Sequence, residues 1–381
     1  MPGRIPYNRP HVVGRELEYI ARAIQSGNAG GDGEFTKRCE TLLQDRFGIE
    51  RVLLTNSCTA SLEIAMLLCD LEPGDEVLLP SFAYVSAANA VVRAGGRPVF
   101  VDIREDTLNI DEELLEAAVT ERTRAVIVIH YAGVAAEMDR IQDVARRRDL
   151  FVAEDAAQAV NASYRSRALG SIGDVGCFSF HETKNFHCGQ GGALCINRSE
   201  LIPRASFIRH RGTNRQEMLD GRVARYEWVA LGSAYALSEI QAAFLLAQLE
   251  EMESLSAARS DRVGRYRAKL EPLEREGFLR LPHVPAHCRS NDHLLHLVLP
   301  SPEIREGLRR HLVERAISAV THFEPLHSSP YAIEHGFLRS KLPVTDRVSA
   351  RILRVPLFYE LSADEIERVV GEIAAFFHAR G

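Results

Sequence analysis

The stretch "FSFHETKNFHCGQGGALCI", Phe178 to Ile196, decides how the rest of the chain is read. An apolar run stops at His181, one lysine follows at position 184, and a glycine-rich bend leads into a second apolar run. Runs of this kind read as strands buried on both faces. Lys184 therefore stands at a strand end among apolar and small neighbours, where an amine loses hydration and its pKa falls. Most lysines are solvated surface charges. A lysine in this setting can form a Schiff base with a carbonyl compound.

Upstream of that turn, short apolar runs alternate with helical patterns. "RVLLT" (51–55) reads as a strand and Thr59 to Leu71 as a helix. "VLLP" (77–80) is followed by a small-residue helix around 84–94. "RPVFVD", a helix near 111–119, "RAVIVIH" (124–130), a helix near 138–148 and "LFVAED" (150–155) continue the series. Strands apolar on both faces that alternate with helices predict a mainly parallel sheet covered by helices, an α/β fold. Downstream, a long helix is expected over roughly 235–257, with further helical pattern to about Leu273. "NDHLLHLVL" as strand, "EIREGLRRHLVER" as helix, "AISAV" as strand and two closing helices complete a smaller α+β unit.

The chain has 381 residues, 46% hydrophobic and 26% charged, with a formal net charge of −6. That length predicts one large and one smaller domain. The absence of a basic block disfavours nucleic-acid binding, while leaving room for a small anionic ligand. Seven scattered cysteines without pairing or metal-ligand spacing fit a reducing, cytoplasmic compartment. "MPGRIPYNRP" lacks the apolar core of a signal peptide, and no apolar run approaches membrane-spanning length.

Four groups carry chemistry. Lys184 is the amine. Asp155 ends the strand "LFVAED" at the carboxyl edge, where open α/β sheets bind ligands. It can cap the following helix, or pair with the protonated ring nitrogen of a pyridine cofactor, and Gln158 lies about one helical turn further on. "NSCTAS" (56–61) follows a strand and opens a helix, so its free N–H groups with the hydroxyls of Ser57 and Thr59 can cradle a phosphate. Ser179 adds a hydroxyl near that edge, and Tyr84 an aromatic face. A phosphate cradle, a stacking ring, an acid for a ring nitrogen and a Schiff-base lysine together call for pyridoxal 5′-phosphate (PLP).

With these residues in view, the chain resembles the DegT/DnrJ/EryC1/StrS sugar aminotransferases over nearly its whole length. The resemblance is carried by "GDEVLLPSFAYVSAANAV", "PVFVDI", "HYAG" (130–133), "EDAAQA" (154–159), "GCFSFHETKN" (176–185), "PLH" (325–327) and "VPLFYELS" (355–362). It implies the PLP-dependent aspartate-aminotransferase-like fold of type I. Residues 1–250 would form a large PLP-binding domain with an N-terminal arm, and 251–381 a small α+β domain. It implies Lys184 as Schiff-base lysine, Asp155 as partner of the ring nitrogen, Gln158 at the ring hydroxyl and Tyr84 stacked on the ring. Thr59 and Ala60 through their backbone, and Ser179 through its hydroxyl, would hold the phosphate. Lysine rather than histidine at 184 favours transamination over dehydration.

"FHETKN" resembles members that aminate carbon 4 of the sugar, whereas "FYPTKN" marks those acting at carbon 3. The resemblance thus implies a dTDP-linked 4-keto-6-deoxyhexose as substrate and L-glutamate as donor, in a homodimer with active sites at the interface. His181 is a candidate sugar contact if its turn is helical. Two positions depart from the family pattern: Gln190 stands in "GQGG" where many members carry Glu, and Ala236 where many carry an Asn that reaches the partner's phosphate. Ser233, Tyr235 and Ser238 lie near that second position, and no cross-subunit contact is assigned. His293, His322 and His327 are candidates for lining a nucleotide pocket, but lone histidines are more often structural, and none is assigned. The rival readings are a carbon 3 or UDP-sugar aminotransferase, a metal site built from Cys177, His181, His187 and Cys188, and a non-catalytic descendant of the fold. The presence of Lys184 together with Asp155 argues against the last.

Overall fold

The computed structural model describes residues 3–379. Its centre is a seven-stranded sheet. In chain order the strands are β1 (Arg51–Thr55), β2 (Glu76–Pro80), β3 (Arg97–Val101), β4 (Thr123–Ile129), β5 (Phe151–Asp155), β6 (Val175–Ser179) and β7 (Gly192–Ile196). They lie in the order β1-β7-β6-β5-β4-β2-β3. The pairs β2–β3, β2–β4, β4–β5 and β5–β6 are parallel, while β6–β7 and β7–β1 are antiparallel. Helices cover both faces, which is why strands such as "EVLLP" and "GALCI" are wholly buried and, but for Glu76 at the start of the first, without charge.

The topology gathers the candidate residues. β1, β2, β5 and β6 all run in one direction, so Thr55, Pro80, Asp155 and Ser179 end at the same edge. Gly192 closes that edge from β7, paired with both Thr55 and Ser179.

One apolar core packs on each face of the sheet. The first includes Phe35 and Leu43 of helix Glu34–Phe47 and Leu245 of helix Glu239–Glu250. The second includes Leu62 of helix Cys58–Leu68 and Ala87 of helix Val85–Arg93. Helix Glu34–Phe47 begins at Gly33, which has no side chain to cap it. The Glu239 carboxylate supplies the cap, accepting the N–H groups of Gly33, Phe35 and Thr36. A third core surrounds the antiparallel pair β8 (Leu295–Val298) and β9 (Ile352–Val355), with helices Met252–Arg275, Pro302–Glu314 and Ala363–His378. Ile5 of the N-terminal arm is buried in this core, its N–H donating to the Ala316 carbonyl.

Several local expectations need correction. The helix expected over 235–257 starts later and breaks. Tyr235 and Ala236 are extended, tied to the end of β1 by the Asn56 N–H on the Tyr235 carbonyl and by the Thr55–Ala236 bridge. Ser238 then caps helix Glu239–Glu250, and Glu251 (φ −99, ψ 19) separates it from helix Met252–Arg275. "AISAV" is not a strand: Ile317 bridges Ile5 and Val320 bridges Arg354, single contacts with two different segments that form no ladder. β9, inside "RILRV", takes that place beside β8. The helix near 111–119 is a short turn, Glu112–Leu114, followed by Leu115–Ala118. Among the described residues no helix is long and apolar enough to cross a membrane.

Candidate active site

At the shared edge a cavity of about 640 Å³ opens, lined by Ser57, Thr59, Tyr84, Asp155, Gln158, Ser179, His181 and Lys184. Of the residues that the sequence offers for the cofactor and the sugar, all but Ala60 line it; the Ala60 N–H is taken by the Ser57 hydroxyl at 3.1 Å, which caps helix Cys58–Leu68. The N–H groups of Cys58 and Thr59, in the first turn, have no carbonyl within their own helix to bond and mark the positive end of its dipole. Gly192 is pressed against this turn. A Cβ there would stand 2.4 Å from the Ser57 carbonyl carbon and 2.5 Å from the Cys58 nitrogen.

Asp155 is buried at the end of β5, and one of its oxygens accepts the Ala157 N–H at 3.1 Å. Burial pushes its carboxyl above the usual range, opposed by that N–H and by the nearby Lys184 and His130. Behind it, His130 and Glu154 are both fully buried and bonded at 2.9 Å. His130 Nδ1 accepts the Ala136 N–H, so Nε2 carries the hydrogen given to Glu154. Burial alone would raise Glu154, but His130 and the N–H groups of Gly173 and Gly170 hold it low.

Lys184 projects from a turn, not a helix: its own N–H donates to the His181 carbonyl at 2.8 Å. Burial lowers its pKa, against the opposing influence of Cys58 and Asp155. His181 is engaged within this turn, its Nδ1 lying 2.9 Å from the Thr183 hydroxyl. Tyr84 is 60% exposed, its ring 6.1 Å from that of Phe323. Gln158 Oε1 accepts the Ala132 N–H at 2.7 Å, which fixes the orientation of its amide.

These residues fit PLP. A helix N-terminus with an adjoining hydroxyl suits its phosphate. A buried carboxylate lacking a cationic bond partner suits its ring nitrogen, and a poorly solvated amine suits its aldehyde. The four residues of the metal alternative do not converge: Cys177 is buried in β6, and His187 Nε2 lies 2.8 Å from the His11 carbonyl. Among the described residues no group of three or more His, Cys, Asp or Glu is arranged to hold a metal ion. The hydroxyls near Ala236 are turned to other tasks, Tyr235 donating to Glu63 and Ser238 capping its helix.

Sequence reasoning named His293 and His322 of the opposite wall without assigning them and missed the rest. Tyr7 and Asn8 from the N-terminal arm, and His293, Thr321, His322, Phe323, Glu324 and Arg354 from the C-terminal part, line the same cavity. His293 Nδ1 lies 2.9 Å from Asn185 Oδ1, and His322 Nδ1 lies 2.5 Å from the Tyr131 hydroxyl. Burial drives both imidazoles well below their usual pKa, so they stand neutral. His327 belongs elsewhere, bonded to Ser81 and Asp346. Although that trio has the composition of a hydrolase triad, Ser81 is fully buried and no substrate can reach it. Arg354 did carry a signal, as the one charge inside the apolar run of β9.

Comparison with known proteins agrees with this geometry. The DegT/DnrJ/EryC1/StrS aminotransferase family matches residues 10–374. The spore coat polysaccharide biosynthesis protein SpsC of Bacillus subtilis (strain 168) is 33% identical over 376 residues, 96% of this chain and 95% of that protein. The crystal structure of the aminotransferase TlmJ from Streptoalloteichus hindustanus superposes with a TM-score of 0.91 at 30% identity, covering 100% of both chains. Spr1654 from Streptococcus pneumoniae in its PLP form gives a TM-score of 0.90 at 25% identity over 98% of each chain.

Proposed function

Since the chain belongs to the DegT/DnrJ/EryC1/StrS family and is a PLP-dependent sugar aminotransferase, we propose that it aminates carbon 4 of dTDP-4-dehydro-6-deoxy-D-glucose. L-Glutamate is the donor, and the product is a dTDP-4-amino-4,6-dideoxyhexose of galacto configuration. The observation that carries this reading is the lysine turn "FHETKN" at the floor of the cavity, with Lys184 facing the same space as Asp155. The transformation takes place in the cytoplasm, within a homodimer.

PLP, when bound, supplies an electron sink for the pair left on a carbon that loses its proton. The remaining work falls to the protein. Thr59, Ser57 and Ser179, with the backbone of Ala60 behind them, would hold the phosphate end. Tyr84 would cover one ring face, and Gln158 would direct its amide at the ring hydroxyl. Asp155 would keep a proton on the ring nitrogen through charge pairing in a site that offers little water. Lys184 Nζ would hold the aldehyde end at rest and, when free, would carry a proton between the donor α-carbon and the cofactor as general base and then general acid. The same amine would serve the 4-keto group of the sugar in the opposite sense.

The test is incubation with dTDP-4-dehydro-6-deoxy-D-glucose and glutamate, with NMR of the product. Nitrogen on carbon 4 with an axial amine is expected, and Lys184→Ala is expected to give none. Amination only of the 3-keto isomer, or only of a UDP-linked sugar, would replace this substrate assignment.

A further inference from the structure

His293 stands in the cavity wall and has no part in the scheme above. Its ring is oriented by a short chain of hydrogen bonds. A backbone carbonyl can only accept, so the Asn185 amide turns its Nδ2 to the Asn291 carbonyl, 2.8 Å away, and leaves its Oδ1 for His293. That oxygen also only accepts, so His293 Nδ1, 2.9 Å from it, carries the ring hydrogen. Nε2 of the same neutral ring is therefore a bare lone pair. It has no hydrogen-bond partner among the described residues, yet it is open to the cavity, unlike the enclosed and unpartnered Nδ1 atoms of His187 and His296. A second, small void of about 10 Å³ is lined by Lys184, Asn185, Asn291 and His293 together. Arg259 fastens this segment from behind, its Nε and Nη2 donating to the Asp292 and His293 carbonyls at 3.1 and 2.6 Å.

We propose that His293 is the positioning residue for Lys184: its Nε2 lone pair takes one N–H of the free amine and turns the nitrogen's own lone pair toward the donor α-carbon. The carbon named here rests on the transaminase reading above, while the contact rests on the geometry. Burial and charge, and no hydrogen bond, act on the Lys184 amine in the resting structure, so its N–H groups are free for an acceptor that shares both voids with it.

The acceptor's neutrality matters. A carboxylate in this place would hold Nζ as an ammonium, which has no lone pair with which to take a proton. An imidazole directs the same N–H without a net charge. Burial and the surrounding Lys184, Arg259, Arg354 and His322 keep it from gaining one. Asn185 directly follows Lys184, so one turn carries both the amine and the group that sets its partner's tautomer.

The contact is read first in the cofactor-free protein, by the pH dependence of Lys184 labelling with trinitrobenzenesulfonate, located by peptide mass spectrometry. An acceptor stabilises the ammonium more than the amine, so its loss lowers the Lys184 pKa. His293→Leu should move the labelling midpoint down by about half a pH unit or more, while His293→Gln, whose amide oxygen replaces the lone pair, should stay near the wild type. Cys58, Asp155 and Arg354, which also bear on Lys184, are common to all three proteins. A histidine that only fills space gives the opposite sign, because water admitted by its loss raises the midpoint toward the ordinary lysine value. In the PLP-loaded protein, His293→Leu should slow single-turnover conversion by glutamate at least about tenfold, with half-saturation within about twofold. The isotope effect of glutamate deuterated at the α-carbon should rise, and His293→Gln should restore part of the rate. Should His293→Leu misfold, nitrogen NMR of the histidine-labelled, cofactor-free wild type decides. His293 Nε2 should give the signal of a ring nitrogen without hydrogen, and that signal should move as Lys184 titrates. A hydrogen on Nε2, a midpoint unmoved or raised, or an unchanged isotope effect overturns the proposal while leaving transamination standing. A wild type that no amino acid converts overturns the transaminase reading and the target carbon with it, whereas the midpoint still decides the contact.

Discussion

Burial disfavours the charged forms of both Asp155 and Lys184, and from this follow predictions at the scale of single residues. With a folded pKa raised above its unfolded value, ionised Asp155 lowers stability in the cofactor-free protein. That penalty is absent below the unfolded pKa near 4 and grows as pH rises through the folded one. Lys184, with a lowered folded pKa, carries its own penalty at neutral pH, relieved as pH climbs toward the ordinary lysine value. The cofactor-free Asp155→Asn protein should therefore be at least as stable to urea at pH 7 as the wild type. With PLP supplied, its turnover should fall at least about 100-fold, since an amide cannot keep the ring nitrogen protonated. Lower stability combined with normal turnover would remove Asp155 from the mechanism.

At the scale of elements, the site depends on one close approach. Gly192 of β7 lies between Thr55 and Ser179 and against the first turn of helix Cys58–Leu68. Any side chain there displaces that turn, because the atoms it meets are backbone and cannot rotate away. Gly192→Ala should keep its circular-dichroism spectrum but bind PLP at least about tenfold more weakly, measured by equilibrium dialysis of the cofactor, because the proposed phosphate seat uses the displaced N–H groups. Unchanged affinity would place the phosphate elsewhere. The elements themselves were legible to differing degrees. The strands of the large sheet were readable because burial on both faces leaves a continuous apolar run. The broken helix at 235–257 was not, because what holds Tyr235 and Ala236 extended is the end of β1, far away in sequence.

At the scale of the whole molecule, the excursion between Arg211 and Gly232 is tied to itself yet apolar on its open side. Bridges join His210 to Ala234 and Thr213 to Trp228, and Asn214 bonds back to the backbone of Arg225 and Glu227. Trp228 is nevertheless 81% exposed and Leu231 69%, with Leu219 and Tyr226 also open. An ordered loop that offers this much apolar surface is suited to covering by a second copy in the proposed homodimer. Trp228→Glu should shift the protein toward monomer in sedimentation and reduce activity in parallel. An active monomer would separate catalysis from assembly.

The sequence alone determined the α/β class, the order of the large-sheet strands along the chain, and the lysine and aspartate that line one cavity. Those features follow from local pattern: apolar runs, helix starts and the residue that ends each strand. What only the tertiary structure decided is the other wall of the cavity. Tyr7 and Arg354 lie 347 positions apart in the chain, and although Arg354 stands out as a charge within an apolar run, nothing in the sequence pairs the two. They meet because Ile5 and β9 pack into one core. Burial there depends on which distant segments cover one another, and no period of a single segment records that.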